Sequence, residues 1–277
     1  MSDNQIPLAG VIGSPISHSR SPQIHRHWLT TLGIRGHYVP LHVTTDNLAE
    51  VLTTLPKAGF VGVNITIPHK ERVLEIADDV TDRATLIGAA NTLIFKEDGK
   101  IHADNTDGYG FIKNLQESPS GWDAKAGPAA LLGAGGAARA VIASLLDAGV
   151  PEILISNRTR VRAEALQSEF GQRLRVFDWV QAGNMMDYAS TVVNTTSLGM
   201  LGKPPLRVPL DGLQKGAVVT DLVYAPLKTK LLETAEEMGC HTVDGLGMLL
   251  HQAVPGFERW FGQRPEVDSA TRAAALR

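Results

Sequence analysis

Two stretches hold residues whose types and spacing suit chemistry. In VNITIPHK, residues 63–70, an apolar face of Val63, Ile65 and Ile67 alternates with Asn64 and Thr66 before Pro68, His69 and Lys70. A strand buried in a parallel sheet carries apolar residues on both faces. An amide and a hydroxyl at its end, followed by an ammonium, therefore call for a polar ligand. An isolated lysine is usually solvated. Beside an oxygen on which negative charge develops, an ammonium can stabilise that charge and supply a proton. The second stretch, LLGAGGAARA, places Gly133, Gly135 and Ala138 in a G-x-G-x-x-[G/A] pattern between a strand and a helix. The first glycine permits the turn, the second admits a pyrophosphate, and the small third residue lets helix and strand pack. Free N–H groups at the helix start suit the phosphates.

The next strand ends at Asn157, where an NAD enzyme would carry an acidic residue for the ribose 2′-hydroxyl. Here Arg158 follows, with Arg160 and Arg162 close behind. Cations at a helix start work against the helix dipole, so an anion is expected among them. A 2′-phosphate fits, and the expected cofactor is NADP. Asp107, in NTDG ahead of GYGFIKNL, reads by itself as a helix cap.

Short apolar strands alternating with amphipathic helices must position these residues, which implies an α/β architecture with mainly parallel strands. LAGVIG, GHYVPLHV and VGVNITI read as strands. SPQIHRHWLTTLG reads as a helix with Ser21 as cap and Pro22 at the first helical position. DNLAEVLTTLPKAG reads as a helix opened by Asp46, and HKERVLEIADDV as a third helix with Lys70 in its first turn. AANTLIF and KIHADN read as a hairpin joined at KEDGK. Residues 116–128, QESPSGWDAKAGP, are turn-rich and mark a domain junction. Beyond it come the strands AALLG, EILISN, LRVFD, TVVNTT, AVVTDLVY and CHTVDG, a helix from Gly136 to Ala148, and a long last helix from about Gly247 to Trp260.

The chain has 277 residues, 20% charged, with a net charge of −3 and both signs scattered, so no nucleic-acid footprint is present. No apolar run approaches the roughly 18 residues of a membrane span. The start, MSDNQIPLAG, lacks the pattern of a secretion signal. The lone Cys240 cannot form an internal disulfide, so a cytoplasmic protein is expected. The histidines show no metal-binding spacing, and no metal is expected.

SPISHSRSP, VNITIPHK, GAANTL, NTDG, GAGGAARA, NRT, NTTSLGM and DGLGMLLHQA occur in that order along nearly the whole chain. Together they resemble the shikimate dehydrogenase family. The resemblance implies NADPH-dependent reversible reduction of 3-dehydroshikimate to shikimate, in aromatic amino-acid biosynthesis. It implies a substrate domain of residues 1–115 plus 246–277, made of mainly parallel α/β structure completed by C-terminal helices, and a Rossmann NADP-binding domain of residues 116–245. Lys70 and Asp107 would be the catalytic pair. Ser17 and Ser19 would bind the substrate carboxylate, with Asn64, Thr66, Asn91, Tyr224 and Gln252 completing the pocket. The segment Gly133, Ala134, Gly135, Gly136, Ala137 would hold the cofactor, with Asn157, Arg158, Thr159, Arg162, Thr195, Leu222 and Gly245. Asp82 would lie on the nicotinamide side. Leu222 departs from the Met that relatives can carry there.

Two other readings compete. A quinate/shikimate dehydrogenase using NAD would favour an acidic residue at position 157, and Asn157 with Arg158 argues against it. A non-catalytic NADP-dependent sensor would have lost Lys70 or Asp107, and both are present. The expected partner is a small-molecule substrate, for a monomer or homodimer with neither nucleic acid nor membrane.

Overall fold

The computed structural model describes residues 6–118 and 121–277. Residues 1–5 of the N-terminal stretch, and Pro119 and Ser120 of the turn-rich junction, lie outside the described residues. The chain divides into two compact units, Met1–Asp107 with Leu250–Arg277, and Gly108–Leu249.

The first unit opens with β1 (Leu8–Gly13), α1 (Ser21–Thr31), β2 (His37–His42), α2 (Leu48–Thr54) and β3 (Phe60–Ile65). It continues through β4 (Asp79–Val80), α3 (Asp82–Ile87), β5 (Thr92–Phe95) and β6 (Ile101–Asp104). The next segment holds α4 (Asp107–Gln116), β7 (Ala129–Leu132), α5 (Gly136–Ala148), β8 (Ile153–Ser156), α6 (Arg160–Phe170) and β9 (Leu174–Phe177). Then come β10 (Thr191–Asn194), β11 (Val218–Asp221), α7 (Lys230–Glu237), β12 (His241–Val243), α8 (Gly245–Phe261) and α9 (Ser269–Ala275).

The first sheet runs β2-β1-β3-β5-β6-β4. Strands β2, β1 and β3 are parallel, β5 and β6 form the expected antiparallel hairpin, and β4 pairs parallel with β6. Aliphatic residues from Ile12, Val63, Ile65 and Leu93 pack with Leu48, Leu52 and Val73. A separate aromatic group joins His25, Trp28 and Tyr38 to Phe257 and Trp260 of α8. The Trp260 indole donates to Leu93 O at 3.1 Å, and a Cβ at Gly62 would fall 2.0 Å from Trp260 Nε1. Gly62 thus lets α8 press directly onto β3.

The second sheet is wholly parallel, ordered β12-β11-β10-β7-β8-β9. Taken from β9 this is the 3-2-1-4-5-6 order of a Rossmann fold. Its strands read as unbroken apolar runs because both faces are covered. Ala129 and Leu131 of β7 pack toward α5 and α6, whereas Ala130 and Leu132 pack with Met185, Leu231 and Leu232.

Four local expectations need correction. The helix expected over residues 69–80 shrinks to a 3-10 turn, Arg72–Glu75, and Asp79–Val80 forms β4. Asp78 N donates to Ile101 O at 2.9 Å, Ile101 N donates back to Asp78 Oδ2 at 2.8 Å, and Thr81 N donates to Ala103 O at 3.0 Å. Pairing with β6 outweighs the helical pattern, because propensity is a weak determinant beside tertiary pairing and a helix this short is marginal by itself. Ile67 does not extend the apolar face of β3: the strand ends at Ile65, and Ile67 is 73% exposed. Ser21 is not the cap of α1. Arg20 holds that position, and Ser19 Oγ accepts from Ser21 N at 3.3 Å. Asn47, not Asp46, precedes α2.

Candidate active site

Three backbone hydrogen bonds fix the turn that carries Lys70. Thr66 N donates to Ile12 O at 2.9 Å, His69 N to Thr66 O at 3.0 Å, and Ala90 N to Lys70 O at 2.8 Å. His69 is buried, with Nε2 2.7 Å from Val43 O, and anchors the turn from below. Lys70 therefore sits in a tethered turn and not in the first turn of a helix. Its Nζ donates to Asp107 Oδ2 at 2.6 Å, with the side chains 31% and 13% exposed. Asp107 begins α4, and its backbone N–H donates to Asn105 Oδ1 at 3.0 Å. That leaves its carboxylate to face Lys70.

Asn91 holds the other side of Asp107. Its Nδ2 lies 2.8 Å from Asp107 Oδ1, 3.0 Å from Thr106 Oγ1 and 3.0 Å from Gln252 Oε1. Its Oδ1 accepts from Thr106 N at 2.8 Å, and Thr106 Oγ1 reaches Gln252 O of α8 at 2.8 Å. Strand register explains the convergence. Asn64 pairs with Thr92 across β3 and β5, and Thr92 with Asp104 across β5 and β6, giving one polar row. Asn64 lies inside this row. Tyr38 OH donates to its Oδ1 at 2.6 Å, and its Nδ2 donates to Asn91 O at 3.1 Å and Thr92 Oγ1 at 3.2 Å. Its amide thus braces Asn91.

Asp104 pins the end of β6. Its carboxylate accepts from Arg83 Nε and Nη2 at 2.8 and 2.7 Å, from Arg259 Nη1 at 2.8 Å and from Thr81 Oγ1 at 2.9 Å. Burial pushes its carboxyl up, but Arg83, Arg259 and Thr81 more than reverse this and hold it far below the usual carboxylate range.

Ser17 and Ser19 lie on the turn between β1 and α1, Ser17 exposed and Ser19 half-buried. That turn adjoins the Lys70 turn. Ser14 N donates to Ile67 O at 3.0 Å, and a Cβ on Gly13 would fall 2.5 Å from Thr66 Cγ2. Asp82 is exposed at the start of α3.

In the second unit the glycine loop follows β7. Gly133 has φ +109°, and a Cβ there would fall 2.7 Å from both Thr195 Oγ1 and Thr196 Cγ2. Added Cβ atoms at Gly135 and Gly136 would meet open space. Gly135 caps α5 without a side chain, so the first-turn N–H groups, including that of Ala137, have no capping oxygen from it. Asn157 ties the loop to the basic segment: its Oδ1 accepts from Ala134 N at 3.2 Å, and its Nδ2 donates to Thr159 O at 2.8 Å. Thr195 Oγ1 donates to Leu132 O at 2.9 Å, so the end of β10 closes on the loop.

A cavity of about 610 Å³ opens here, lined by the glycine loop, Asn157, Arg158, Arg162, Trp179, residues 195–198, Pro204, Pro205 and Arg207. No acidic residue is among these lining residues. The open glycines, the helix start and the guanidinium groups suit a dinucleotide carrying a 2′-phosphate. Arg160 is directed elsewhere, donating to Glu164 Oε1 and Asp178 Oδ1, both at 2.7 Å.

Leu222, Tyr224 and Gly245 also belong to this unit. Leu222 N donates to Asn194 O at 3.0 Å, and a Cβ at Gly245 would fall 2.4 Å from Leu222 O. The segment that carries Leu222 and Tyr224 is braced by Asp221, which accepts from Asn194 Nδ2 at 2.9 Å, Val223 N at 3.0 Å and Thr229 Oγ1 at 2.7 Å. Burial pushes the Asp221 carboxyl up.

Sequence reasoning passed over Tyr38, Thr92, Asp104 and Arg259, whose roles depend on register and helix packing. It also passed over Trp179 and Arg207, which stand outside any local motif, and over Ser197, which lies within NTTSLGM. Thr106 was visible within NTDG but had no partner until Gln252 came near. Among the described residues no group of three or more His, Cys, Asp or Glu suits a metal ion, and no helix is long and apolar enough to cross a membrane.

Residues 11–93 match the family model of the shikimate dehydrogenase substrate binding domain, and residues 117–199 match that of shikimate/quinate 5-dehydrogenase. Residues 245–275 match the shikimate 5′-dehydrogenase C-terminal domain. The chain is 67% identical over 276 residues to shikimate dehydrogenase (NADP(+)) of Ruegeria sp. (strain TM1040), covering 100% of each chain. It is 66% identical over 270 residues to that of Paracoccus denitrificans (strain Pd 1222), covering 98% of this chain and 96% of the other. Its fold is similar to shikimate 5-dehydrogenase of Thermus thermophilus in complex with NADP(H) and shikimate, at 36% identity and TM-score 0.86 over 98% and 99% of the two chains. It is also similar to quinate dehydrogenase of Corynebacterium glutamicum in complex with NAD, at 32% identity and TM-score 0.90 over 99% of each. With relatives this similar over their full length, and the motif residues set in the geometry described above, the chain belongs to the shikimate dehydrogenase family.

Proposed function

We propose that the protein reduces the ketone of 3-dehydroshikimate to shikimate, reversibly and with NADPH, as a step of aromatic amino-acid biosynthesis. The observation that carries this reading is the Lys70–Asp107 pair, 2.6 Å apart and held from the other side by Asn91. NADPH supplies the hydride when bound. The Lys70 ammonium meets the negative charge developing on the substrate oxygen and gives it a proton. Asp107 orients that ammonium through the 2.6 Å hydrogen bond. In the reverse direction the pair takes the proton back from the hydroxyl.

Shikimate is a small hydroxylated acid, so its pocket needs hydroxyls and amides. Ser17 and Ser19 are assigned to the carboxylate. Thr66, Asn91, Gln252 and Tyr224 are assigned to the hydroxyls, and Asn64 acts through Asn91, which its amide supports. The glycine loop, Asn157, Thr159 and Thr195 hold the cofactor's phosphates and adenosine, with Arg158 and Arg162 on the 2′-phosphate. Leu222, Gly245 and Asp82 are assigned to the nicotinamide end. In this reading residues 1–115 with 246–277 serve the substrate, and residues 116–245 serve NADP. The protein acts on a small molecule in the cytoplasm, as a monomer or homodimer.

The NAD-dependent quinate reading is disfavoured by a cavity lined with arginine and no carboxylate. The sensor reading is disfavoured by the intact Lys70–Asp107 pair. Nicotinamide absorbance with NADP or NAD, and shikimate or quinate, separates them. The expected result is fastest turnover with NADP and shikimate. Preference for quinate with NAD, or no turnover at all, would overturn the proposal.

A further inference from the structure

We propose that Arg207 is a third arm of 2′-phosphate recognition, reaching the cavity from the β10 side while Arg158 and Arg162 reach it from the β8 side. This rests on the NADP reading above and adds to it a residue outside the glycine-loop and NRT motifs. In the sheet order, β8 and β10 flank β7, whose end carries the glycine loop. Arg158 and Arg162 follow β8, whereas Arg207 lies on the long segment after β10. All three line one cavity.

The segment holding Arg207 is anchored by its neighbours. Leu206, Val208 and Leu210 pack against the apolar cluster around Met185 and Leu231. That alternation turns the intervening Arg207 outward, as period-2 geometry requires of an extended chain. Pro209 O lies 3.0 Å from where a Cβ on Gly183 would stand, so the segment is pressed onto the 3-10 turn Trp179–Met185. Trp179, at the start of that turn, lines the same cavity.

Charge completes the argument. Arg160 is neutralised by Glu164 and Asp178. Among the described residues, no carboxylate lies within 4.0 Å of Arg158, Arg162 or Arg207. Like charges brought to one cavity repel unless an anion joins them. A phosphate monoester supplies nearly two negative charges and three acceptor oxygens, enough for several guanidinium groups.

The test is calorimetric titration of NADP, NAD, adenosine 2′,5′-bisphosphate and AMP into wild type, Arg207→Leu, Arg207→Lys and Arg158→Leu. Arg207→Leu is expected to weaken NADP and the bisphosphate about tenfold while leaving NAD and AMP within about twofold. Arg207→Lys should retain part of the loss, because it keeps the charge without the fork. Unchanged NAD and AMP binding also shows that the variant is folded. If Arg207→Leu binds NADP like wild type while Arg158→Leu does not, Arg207 has no such role and the NADP reading stands. If wild type binds the bisphosphate no better than AMP, the NADP reading itself fails. An equal loss for all four ligands would make Arg207 a structural support of the cavity and overturn the inference.

Discussion

Lys70 Nζ lies 2.6 Å from one carboxylate oxygen of Asp107, whose other oxygen is 2.8 Å from Asn91 Nδ2. The pair is thus held from both sides within one compact unit, by groups 16 and 37 residues away in sequence. Such a unit acts jointly. Lys70→Ala should lower kcat by about 10²–10⁴, the usual range for a general acid–base group. The change in shikimate KM should be smaller. Asp107→Asn should also lower kcat, and the double variant should lose less than the two single losses combined. Steady-state kinetics with shikimate and NADP would decide. An unchanged kcat with a raised KM in Lys70→Ala would reduce Lys70 to a binding residue.

The three arginines after β8 should separate by cofactor. Arg158 and Arg162 line the cavity, and Arg160 is occupied by Glu164 and Asp178. Arg158→Leu should raise KM for NADP about tenfold or more while moving KM for NAD little. Arg160→Leu should leave the NADP/NAD preference as it is. A shifted preference in Arg160→Leu, with none in Arg158→Leu, would reverse the assignment.

Much of the second unit was legible because its signals are local. An apolar run covered on both faces, a glycine where φ is positive and a helix start can each be read within ten residues or so. Gly133 follows β7 at a positive φ, and Asn157 and Arg158 follow β8 and line the same cavity. The first unit was harder. Asp78 and Asp79 fit the polar side of a helix, and only pairing with β6 revealed a strand there. Asn64 looked like a substrate contact because a polar side chain at a strand end usually faces a ligand. The amide is instead taken up by Tyr38, Asn91 and Thr92, a network that register creates. Arg207 carries no motif, and its place depends on how Leu206 and Val208 pack.

Gly133 is held by both its backbone and its neighbours. At φ +109° an L side chain is strained, at a cost of about 1–3 kcal/mol, and a Cβ would press on Thr195 and Thr196. Gly133→Ala should therefore push the loop out of shape and weaken NADP and NAD together, by about tenfold or more. This differs from the arginine variants, which discriminate between the two. Dissociation constants from fluorescence titration are the measurement. Loss of NADP affinity alone would show that the loop does not serve the part common to both cofactors.

His25 gives the fold a built-in sensitivity to acid. Its ring is stacked on Tyr38 with centroids 3.8 Å apart and an interplanar angle of 6°, closed in by Trp28, Phe257 and Trp260. Among the described residues neither ring nitrogen has a hydrogen-bond partner. Burial lowers its pKa from 6.5 to about 3. The folded state therefore keeps His25 neutral where the unfolded chain protonates it. Because the unfolded chain binds the extra proton, stability rises with pH across this window and is lost as pH falls below 6.5 toward about 3. Between about pH 7.5 and about pH 5 the group should cost the wild type about 2 kcal/mol. Asp104 acts in the same direction but lower, as its depressed carboxyl protects the fold until pH falls below the ordinary carboxylate range. His25→Phe keeps a ring against Tyr38 and removes the titrating group, so the Asp104 effect should remain while the upper window disappears. Urea unfolding of both proteins across this pH range is the measurement. The difference in unfolding free energy should move in favour of the variant by about 2 kcal/mol on going to about pH 5. Parallel stability–pH curves for the two proteins would show that His25 does not titrate between the folded and unfolded states.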